Sequence, residues 1–313
     1  MKETRVSHPH PILVMGAAGR VGSIGPAVVQ ALLGRGLEVR AMVRVKDERS
    51  ASLEGQGAEI VVGDLTDLHA VHRAVEGCRR IYFSMSVGPS YLEASTNVAA
   101  VARHHGVDAF VNMSQMTVSQ MGIASTTDSP QHKHHWLAEQ VLQWSGLPVV
   151  TLRPTAFMDV FFLRFAAPTV REKSALMLPF GDGKTSPIAA ADVARCVTAV
   201  LADPAPHIGK VYELTGGASE DMHAIARHYS KALGREVVYV DVPPGPWEER
   251  LRASAATAHL ARHLIAMAAL HRENRYDRHT DHVERLTGQA PVSVEDFVRL
   301  HAAAFAPAAR HQN

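Results

Sequence analysis

The most informative stretch of this 313-residue sequence is Gly16-Ala17-Ala18-Gly19-Arg20-Val21-Gly22-Ser23-Ile24-Gly25-Pro26. An apolar run, residues 12–15, leads directly into it, and a helical pattern with its own apolar face follows. Glycines at such a turn let the backbone approach a pyrophosphate, and the free N–H groups of the next helix supply a positive pole. Strand, glycines and helix in this order predict a dinucleotide-binding turn.

The turn is longer than a dinucleotide needs, so its third glycine is either Gly22 or Gly25. Gly25 is followed by Pro26, and proline suits the first position of a helix. The sequence leaves open which of the two glycines lies against the helix.

Short apolar runs alternate with helical patterns along the first half of the chain. Six of them predict strands: residues 12–15, 38–43, 59–62, 81–83, 109–112 and 149–152. Strands separated by helices form parallel sheets covered on both faces. The fold class is therefore α/β, a doubly wound parallel sheet of the Rossmann type.

The pattern changes after the sixth predicted strand and indicates a second, smaller lobe that is mostly helical, with a proline-rich interruption at residues 242–246. We expect an NAD(P)-binding Rossmann core at 10–155, completed by about 184–216, and a substrate-binding lobe at 156–183 and 217–313. Ligands of such sheets bind at the carboxyl ends of the strands, where this lobe would close a cleft. Candidate wall residues are Phe157, Phe161 and Trp247, whose spacing would equally suit a core.

The end of the second predicted strand indicates which dinucleotide binds. Where NAD-binding proteins carry an acidic residue for the ribose hydroxyls, this chain has Arg44, a cation that can pair with a 2′-phosphate. Arg20, inside the glycine turn, can add a second contact or stack on adenine. The expected cofactor is therefore NADPH (NADP) rather than NADH.

Charge and composition exclude several classes of partner. The 32 basic and 31 acidic residues nearly balance, so neither nucleic acid nor a membrane surface is an expected partner, whereas a small molecule is. The start of the chain has no apolar signal core, which predicts a cytoplasmic protein. Cys78 and Cys196 form no metal or redox motif and are expected to be buried thiols. Helices flanking the sheet could pair two subunits as a homodimer.

Six short motifs, taken in order, resemble the NmrA-like branch of the atypical short-chain dehydrogenase/reductases. They are Gly-Ala-Ala-Gly-Arg-Val-Gly at 16–22, Gly-Asp-Leu-Thr-Asp at 63–67, Val-Asn-Met-Ser at 111–114, Ser-Gly-Leu-Pro at 145–148, Leu-Arg-Pro-Thr-Ala-Phe-Met at 152–158 and Leu-Thr-Gly at 214–216. The resemblance implies cofactor contacts at Gly16, Gly19, Arg20, Val21, Gly22, Asp64, Leu65, Ser84, Met85, Pro154 and Thr155. From the residues alone, Asp64 could equally cap the helix that follows it.

The same resemblance points to a departure at the catalytic positions. Ser129-Pro130 begins a helix, and the family's tyrosine and lysine positions fall on Gln131 and His135, four residues apart on one face. Ser114 matches the family's serine. A glutamine cannot donate a proton to an alkoxide and can only orient a ligand, whereas a histidine titrating near neutrality could act as an acid or hold the ribose.

The remaining histidines of this helix have a simpler interpretation. His132, Lys133 and His134 are expected to form a solvated surface, and Leu137, Val141 and Trp144 the buried stripe. His132 and His135 can share a face, but no nearby carboxylate or cysteine completes a ligand set, so no metal is expected. His104 and His105 end another helix, where histidines interact favourably with the dipole.

The leading hypothesis is an NADPH-dependent oxidoreductase that transfers a hydride to a quinone-like or conjugated carbonyl compound, since such acceptors need little help from a positioned acid. The alternative is a non-catalytic NADP(H)-binding redox sensor that acts through a protein partner, as the founding type of the family does. An isomerase or lyase that borrows the cofactor transiently is a third hypothesis, for which the sequence offers no residue pattern.

Overall fold

A computed structural model of the chain describes residues 10–19, 24–254 and 257–307. Its strands are β1 (Ile12–Met15), β2 (Val39–Val43), β3 (Glu59–Val62), β4 (Arg80–Phe83), β5 (Ala109–Met113), β6 (Val149–Pro154), β7 (Ala175–Leu178), β8 (Val211–Leu214) and β9 (Val238–Asp241). Its α-helices are α1 (Ile24–Leu33), α2 (Glu48–Gly55), α3 (Leu68–Val75), α4 (Tyr91–His105), α5 (Pro130–Trp144), α6 (Ala167–Lys173), α7 (Ala190–Ala202), α8 (Met222–Leu233), α9 (Pro244–Ser254), α10 (Ala258–Arg272), α11 (His282–Thr287), α12 (Val294–Leu300) and α13 (Ala302–Phe305). A π-helical segment, Asp159–Phe165, joins β6 to α6.

Seven parallel strands form the central sheet in the order β3-β2-β1-β4-β5-β6-β8. The order reverses beside β1, which pairs with β2 on one side and β4 on the other. In an open parallel sheet, ligands bind at the carboxyl ends of the strands at this switch point. The expected doubly wound fold is confirmed, and all six predicted strands are present.

Helices cover both faces of the sheet and bury a core on each. On one face, α1 and α7 pack Val28, Leu32 and Val197 against the strands. On the other face, α3, α4 and α5 contribute residues such as Val71 and Val98. The near-continuous apolar strands follow from this double coverage, since both sides of each strand meet a helix.

The two cysteines are free and buried, as expected. Cys78 lies on one face of the sheet and Cys196 on the other. Burial raises the thiol pKa of Cys78 to about 11 and that of Cys196 to about 12. Both are therefore protonated and unreactive near neutral pH.

The second lobe has a hydrophobic core of its own and is less purely helical than the sequence suggested. Residues 175–178 and 238–241 pair as a two-stranded parallel sheet, β7 with β9. The expected proline-rich interruption at 242–246 is largely the first turn of α9, which begins at Pro244. Proline fits that turn because its missing N–H would have no partner inside the helix.

None of the helices within the described residues is both long and apolar enough to span a bilayer.

Candidate functional site

The glycine turn between β1 and α1 packs tightly against the end of β4. Gly16 has a φ of 69°, and a Cβ there would lie 2.6 Å from the Ser84 carbonyl oxygen. The Gly19 N–H donates to the Gly16 carbonyl oxygen at 3.0 Å. Only glycine combines that backbone conformation with so close an approach. Three further predicted contacts lie outside the described residues: Arg20, Val21 and Gly22.

Gly25 provides the close packing between α1 and this turn. A Cβ at Gly25 would lie 2.3 Å from the Gly16 carbonyl oxygen and 2.8 Å from the Cα of Ala17. Any larger residue would push the first turn of α1 away from this turn. Gly25 therefore packs against the turn, whereas Gly22 lies outside the described residues.

Arg44 and Asp64 lie near each other beyond the ends of β2 and β3. Arg44 is exposed, and no ion pair within the described ranges engages it. The pKa of Asp64 is lowered mainly by hydrogen bonds from the Thr66 N–H and hydroxyl, and further by the charge of Arg44. The alternative role of Asp64 as a helix cap is wrong, because Asp67 caps α3 by accepting from the His69 N–H.

Arg49 also contacts the glycine turn, a contact that no sequence motif indicates. Its Nη1 donates to the Ala18 carbonyl oxygen at 2.5 Å. Its Nε and Nη2 donate to the Asp47 carboxylate at 3.1 and 2.5 Å. A second guanidinium is therefore fixed beside the turn by its ion pair with Asp47.

The other predicted cofactor contacts follow the ends of β3, β4 and β6. Leu65, Ser84 and Met85 are half-buried. Pro154 and Thr155 are buried, and the Thr155 N–H donates to the Leu214 carbonyl oxygen at 3.0 Å. The buried hydroxyl of Thr155 has no hydrogen-bond partner among the described residues. Buried polar atoms are nearly always paired, so this orphaned hydroxyl fits a polar ligand group at the strand ends.

Gln131 is fully buried at the start of α5. Its Oε1 accepts from the Gly88 N–H at 3.1 Å and from the His259 ring at 2.9 Å. Because the Gly88 N–H can only donate, the oxygen of the amide must face it. The amide nitrogen is buried without a partner in the described part of the chain. Gln131 thus has a free N–H donor but no proton to release, as the sequence predicts.

The expected solvated surface at His132 is wrong, while Lys133 is exposed as predicted. The His132 N–H donates to the Ser129 Oγ at 3.2 Å, and that hydroxyl also bonds Nδ1 of His263 at 2.9 Å. The Thr127 hydroxyl accepts from the Ser129 N–H and bonds Nδ1 of His132 at 2.7 Å. Each hydroxyl can donate to Nδ1 or accept from it, so these contacts satisfy a neutral ring in either tautomer.

Burial keeps this histidine group uncharged. It lowers the pKa of His132 to about 3, and it holds the pKa of His263 well below the ordinary histidine value. The two rings meet edge to face at 4.9 Å. His134 is half-buried rather than solvated and stacks on His259 at 5.6 Å. The sequence missed these contacts because α10, which carries His259 and His263, packs on α5 across a long chain separation.

His135 does not titrate near neutrality, which corrects the expectation of an imidazolium acid. Burial, with smaller contributions from His263 and His134, lowers its pKa to about 3. Its ring lies 4.1 Å from the Tyr91 ring, and its buried Nδ1 has no partner among the residues described. Tyr91 is itself held by a 3.0 Å hydrogen bond to the Met113 carbonyl oxygen. His135 can offer a neutral ring N–H or lone pair, but not a positive charge.

Ser114 is held by an ion pair that the sequence analysis did not identify. Its hydroxyl donates to Oε1 of Glu139 at 2.5 Å. Nε and Nη2 of Arg153 donate hydrogen bonds to the Glu139 carboxylate at 3.0 and 2.5 Å. Both side chains are largely buried. Glu139 lies one helical turn beyond His135. The polar face of α5 therefore runs from Gln131 through His135 to Glu139.

The three predicted wall residues are not brought together. Phe157 is half-buried beside the sheet, at a bridge to Ile188. Phe161 is buried in the second core, 5.2 Å from Phe180, and so has the core position that its spacing also allowed. Trp247 lines a groove of about 380 Å³ between α6, β7 and α9. Of the three, Phe157 lies nearest in sequence to the cofactor contacts.

The fold and the glycine turn define a Rossmann-type NAD(P)-binding protein of the atypical short-chain dehydrogenase/reductase class. The model of the NmrA-like family matches residues 9–298, and the chain belongs to that family. The resemblance inferred from the six motifs is confirmed.

Relatives of this chain include proteins with named activities. The NAD(P)H azoreductase of Xenophilus azovorans is 28% identical over 299 residues, covering 95% of this chain and 100% of its own. The NADPH-dependent quinone oxidoreductase QOR2 of Escherichia coli, crystallised with NADPH, superposes with a TM-score of 0.81 at 22% identity and covers 93% of this chain and 99% of its own. NmrA, a negative transcriptional regulator crystallised with NADP, superposes with a TM-score of 0.76 at 17% identity, covering 93% and 95%.

Proposed function

We propose that this protein is an NADPH-dependent reductase that transfers a hydride to a quinone-like or conjugated carbonyl small molecule. The comparisons confirm the class of an NAD(P)H-dependent reductase with a nicotinamide cofactor. The acceptor is inferred from one observation: the polar face of α5 carries neutral hydrogen-bonding groups, Gln131 and His135, where an acid would be expected.

The residues at the strand ends fit the cofactor. Gly16, Gly19 and Gly25 allow the tight turn at which a pyrophosphate would bind, Arg44 offers an exposed positive charge for a 2′-phosphate, and the Thr155 hydroxyl has no partner among the described residues. Further contacts at Asp64, Leu65, Ser84, Met85 and Pro154, and at the undescribed Arg20, Val21 and Gly22, belong to the same proposal. When bound, NADPH supplies the hydride.

The neutral face of α5 decides which acceptors this site suits. Hydride addition to an aliphatic ketone leaves a strongly basic alkoxide, which needs a proton from a positioned acid. A quinone spreads the added charge over a conjugated system, and water can supply the one proton that converts the resulting hydroquinone anion to the hydroquinone. The N–H of Gln131 and the ring of His135 then orient the acceptor and stabilise its oxygens without giving up a proton.

Ser114 adds a second fixed group to this site. Its proton is committed to Glu139, and Arg153 holds that carboxylate with two hydrogen bonds. The serine oxygen is therefore fixed as an acceptor, which suits positioning more than donation. In this proposal the N–H of Gln131 donates to the substrate oxygen, the Ser114 oxygen can accept from a hydroxyl of the reduced product, and Glu139 is a positioning residue.

The second lobe completes the proposal. We assign residues 156–183 and 217–313 to a substrate-binding lobe because α10 meets α5 at the His259–Gln131 hydrogen bond. Phe157 is the best-placed wall residue, whereas Phe161 and Trp247 support the lobe from its core. Pairing of two subunits through the sheet-flanking helices remains part of this proposal.

Acceptor-dependent NADPH oxidation tests the function. The purified protein should oxidise NADPH in the presence of quinones, enones or azo dyes, and much more slowly with aliphatic ketones. Lys133→Ala, an exposed change on the same helix, should match the wild type, whereas His135→Ala should lower quinone turnover. Tight NADPH binding without turnover of any acceptor would contradict the proposal.

A second candidate function is favoured by the same observation, that Gln131 and His135 provide no acidic proton. A protein that binds NADP(H) without turnover needs no proton donor, and NmrA itself is described as a transcriptional regulator. As a redox sensor, this chain would bind a protein partner in one redox state of the cofactor. Recovery of a partner with NADP but not with NADPH, together with absent turnover, would favour the sensor over the reductase.

A further inference from the structure

A second histidine group lies on the surface, where α3 and α4 end side by side. Its members are His72 in the last turn of α3 and His104 and His105 in the last turn of α4. Nδ1 of His72 and Nε2 of His105 are 3.0 Å apart, and the nearest ring nitrogens of all three residues lie within 4.8 Å of one another. His72 and His104 are exposed and His105 is half-buried, so an ion in solution can reach them.

This group is separate from the cofactor site. The chain runs from the candidate site into the first residue of α4, Tyr91, whose ring packs on His135. The 15 residues of α4 then span about 22 Å to the opposite edge of the sheet. Nothing proposed for the reductase uses His72, His104 or His105.

We propose that His72, His104 and His105 form a binding site for a divalent transition-metal ion of the zinc type. Imidazole nitrogens are ligands that Zn²⁺, Ni²⁺ and Cu²⁺ prefer. Two nitrogens bound to one tetrahedral zinc are about 3.4 Å apart, close to the separation already present between His72 and His105. A turn of the exposed His104 ring brings the third ligand in, and water completes the coordination.

The local charges favour a cation here. Two helices end at this point, and the negative ends of both dipoles face the histidines. Burial, followed by the rings of His72 and His104, lowers the pKa of His105, and the carboxylate of Glu76, at the end of α3, acts in the opposite direction. Arg73 and Arg103 lie in the same helical turns but are exposed and free to point away.

Metal binding requires only a shift of one proton. The hydrogen bond between His72 and His105 needs one of the two facing nitrogens to carry a proton. A bound metal needs both facing nitrogens to be unprotonated. The ring that carries the proton must therefore move it to its other nitrogen. No group is oxidised or reduced. The bound ion would cross-link α3 to α4.

Calorimetric titration of Zn²⁺ into the full-length, tag-free protein tests the site. We expect one ion per chain with a Kd of about 10 μM or tighter, and a rise in the melting temperature on binding. His72→Ala and His104→Ala should each weaken the affinity by about tenfold or more. His69→Ala, an exposed histidine earlier on α3, is the matched control and should bind as the wild type does.

A second measurement identifies the ligands. Co²⁺ bound by three imidazoles and water should give the intense visible absorption of a tetrahedral site, lost in His72→Ala but kept in His69→Ala. Zinc affinity that is unchanged in both His72→Ala and His104→Ala, or a Kd weaker than about 1 mM for the wild type, would overturn the proposal. Circular dichroism of the metal-free variants, which change surface residues only, separates loss of binding from loss of fold.

Discussion

The two histidine groups of this protein show how one residue type takes opposite roles in opposite surroundings. His132, His135 and His263 are packed between α5 and α10, and burial holds them neutral. His72 and His104 lie on the surface at the far ends of α3 and α4. The buried group can only hydrogen-bond an uncharged or delocalised ligand, whereas the surface group is open to a cation.

The difference is set by tertiary packing rather than by local sequence. Both groups combine adjacent histidines on one helix with a histidine from another helix. The buried group is neutral because burial under α10 disfavours a charged ring, and the Thr127 and Ser129 hydroxyls bond two of its nitrogens. The surface group has no covering element within the described part of the chain, and its exposed rings stay hydrated. Solvent access therefore separates the face that we propose orients the substrate from the face that we propose binds a metal.

Placing a fixed charge in each group should give the largest contrast. His132→Lys puts an unpaired ammonium in a buried site and should lower the free energy of unfolding by about 3 kcal/mol or more. His72→Lys, on the surface, should change it by less than about 0.5 kcal/mol. Urea unfolding followed by circular dichroism gives both values. Equal changes in the free energy of unfolding at the two positions would contradict the proposed difference between the two histidine groups.

Acid should destabilise the fold through the buried group. Above about pH 6.5 these histidines are neutral in both the folded and the unfolded chain and contribute no pH dependence. Below it the unfolded chain binds protons that folded His132, His135 and His263 do not, so the free energy of unfolding falls by up to about 4 kcal/mol per pH unit. His132→Gln should reduce the number of protons taken up on unfolding by about one, which makes the pH dependence of stability less steep. His72→Gln should leave the pH dependence unchanged. An identical slope in all three proteins would exclude the buried group as the cause.

Matched arginines separate the two edges of the sheet. Arg44→Ala, at the cofactor edge, should weaken NADPH binding by about 10- to 100-fold and leave NADH binding nearly unchanged, because only NADPH carries the 2′-phosphate. Arg103→Ala, beside the surface histidines, should affect neither. Fluorescence titration with NADPH and with NADH measures the ratio of the two dissociation constants in each variant. Equal losses for NADPH and NADH in Arg44→Ala would remove the phosphate assignment.

Matched glutamates give the smallest expected effect. Glu139→Gln removes the charge that holds Arg153 and weakens the hydrogen bond from Ser114, and should lower quinone turnover by about three- to tenfold with little change in NADPH affinity. Glu76→Gln, near the surface histidines, should leave turnover unchanged. Steady-state kinetics separates kcat from KM in both variants. A Glu139→Gln protein with wild-type kcat would show that the ion pair supports only the fold.

The sequence predicted the sheet more completely than the site. Strand positions follow from local apolar runs, and the glycine turn from spacing, so both could be found without knowing the fold. The burial of His132 could not, since it depends on α10, more than 120 residues later in the chain. The hydrogen bonds of Ser114 with Glu139, and of Gln131 with His259, join distant segments in the same way. The contact of Gly25 with Gly16 is likewise visible only in the fold.

The pH dependence of quinone reduction tests the central claim most directly. If α5 orients the acceptor with neutral groups, kcat should be flat from about pH 6.5 to 8.5 in the wild type and in His135→Ala, although the variant turns over more slowly. An apparent pKa within that range that disappears in His135→Ala would show a working imidazolium acid and contradict the account. Failure to reduce any quinone, with NADPH still bound, would contradict it as well.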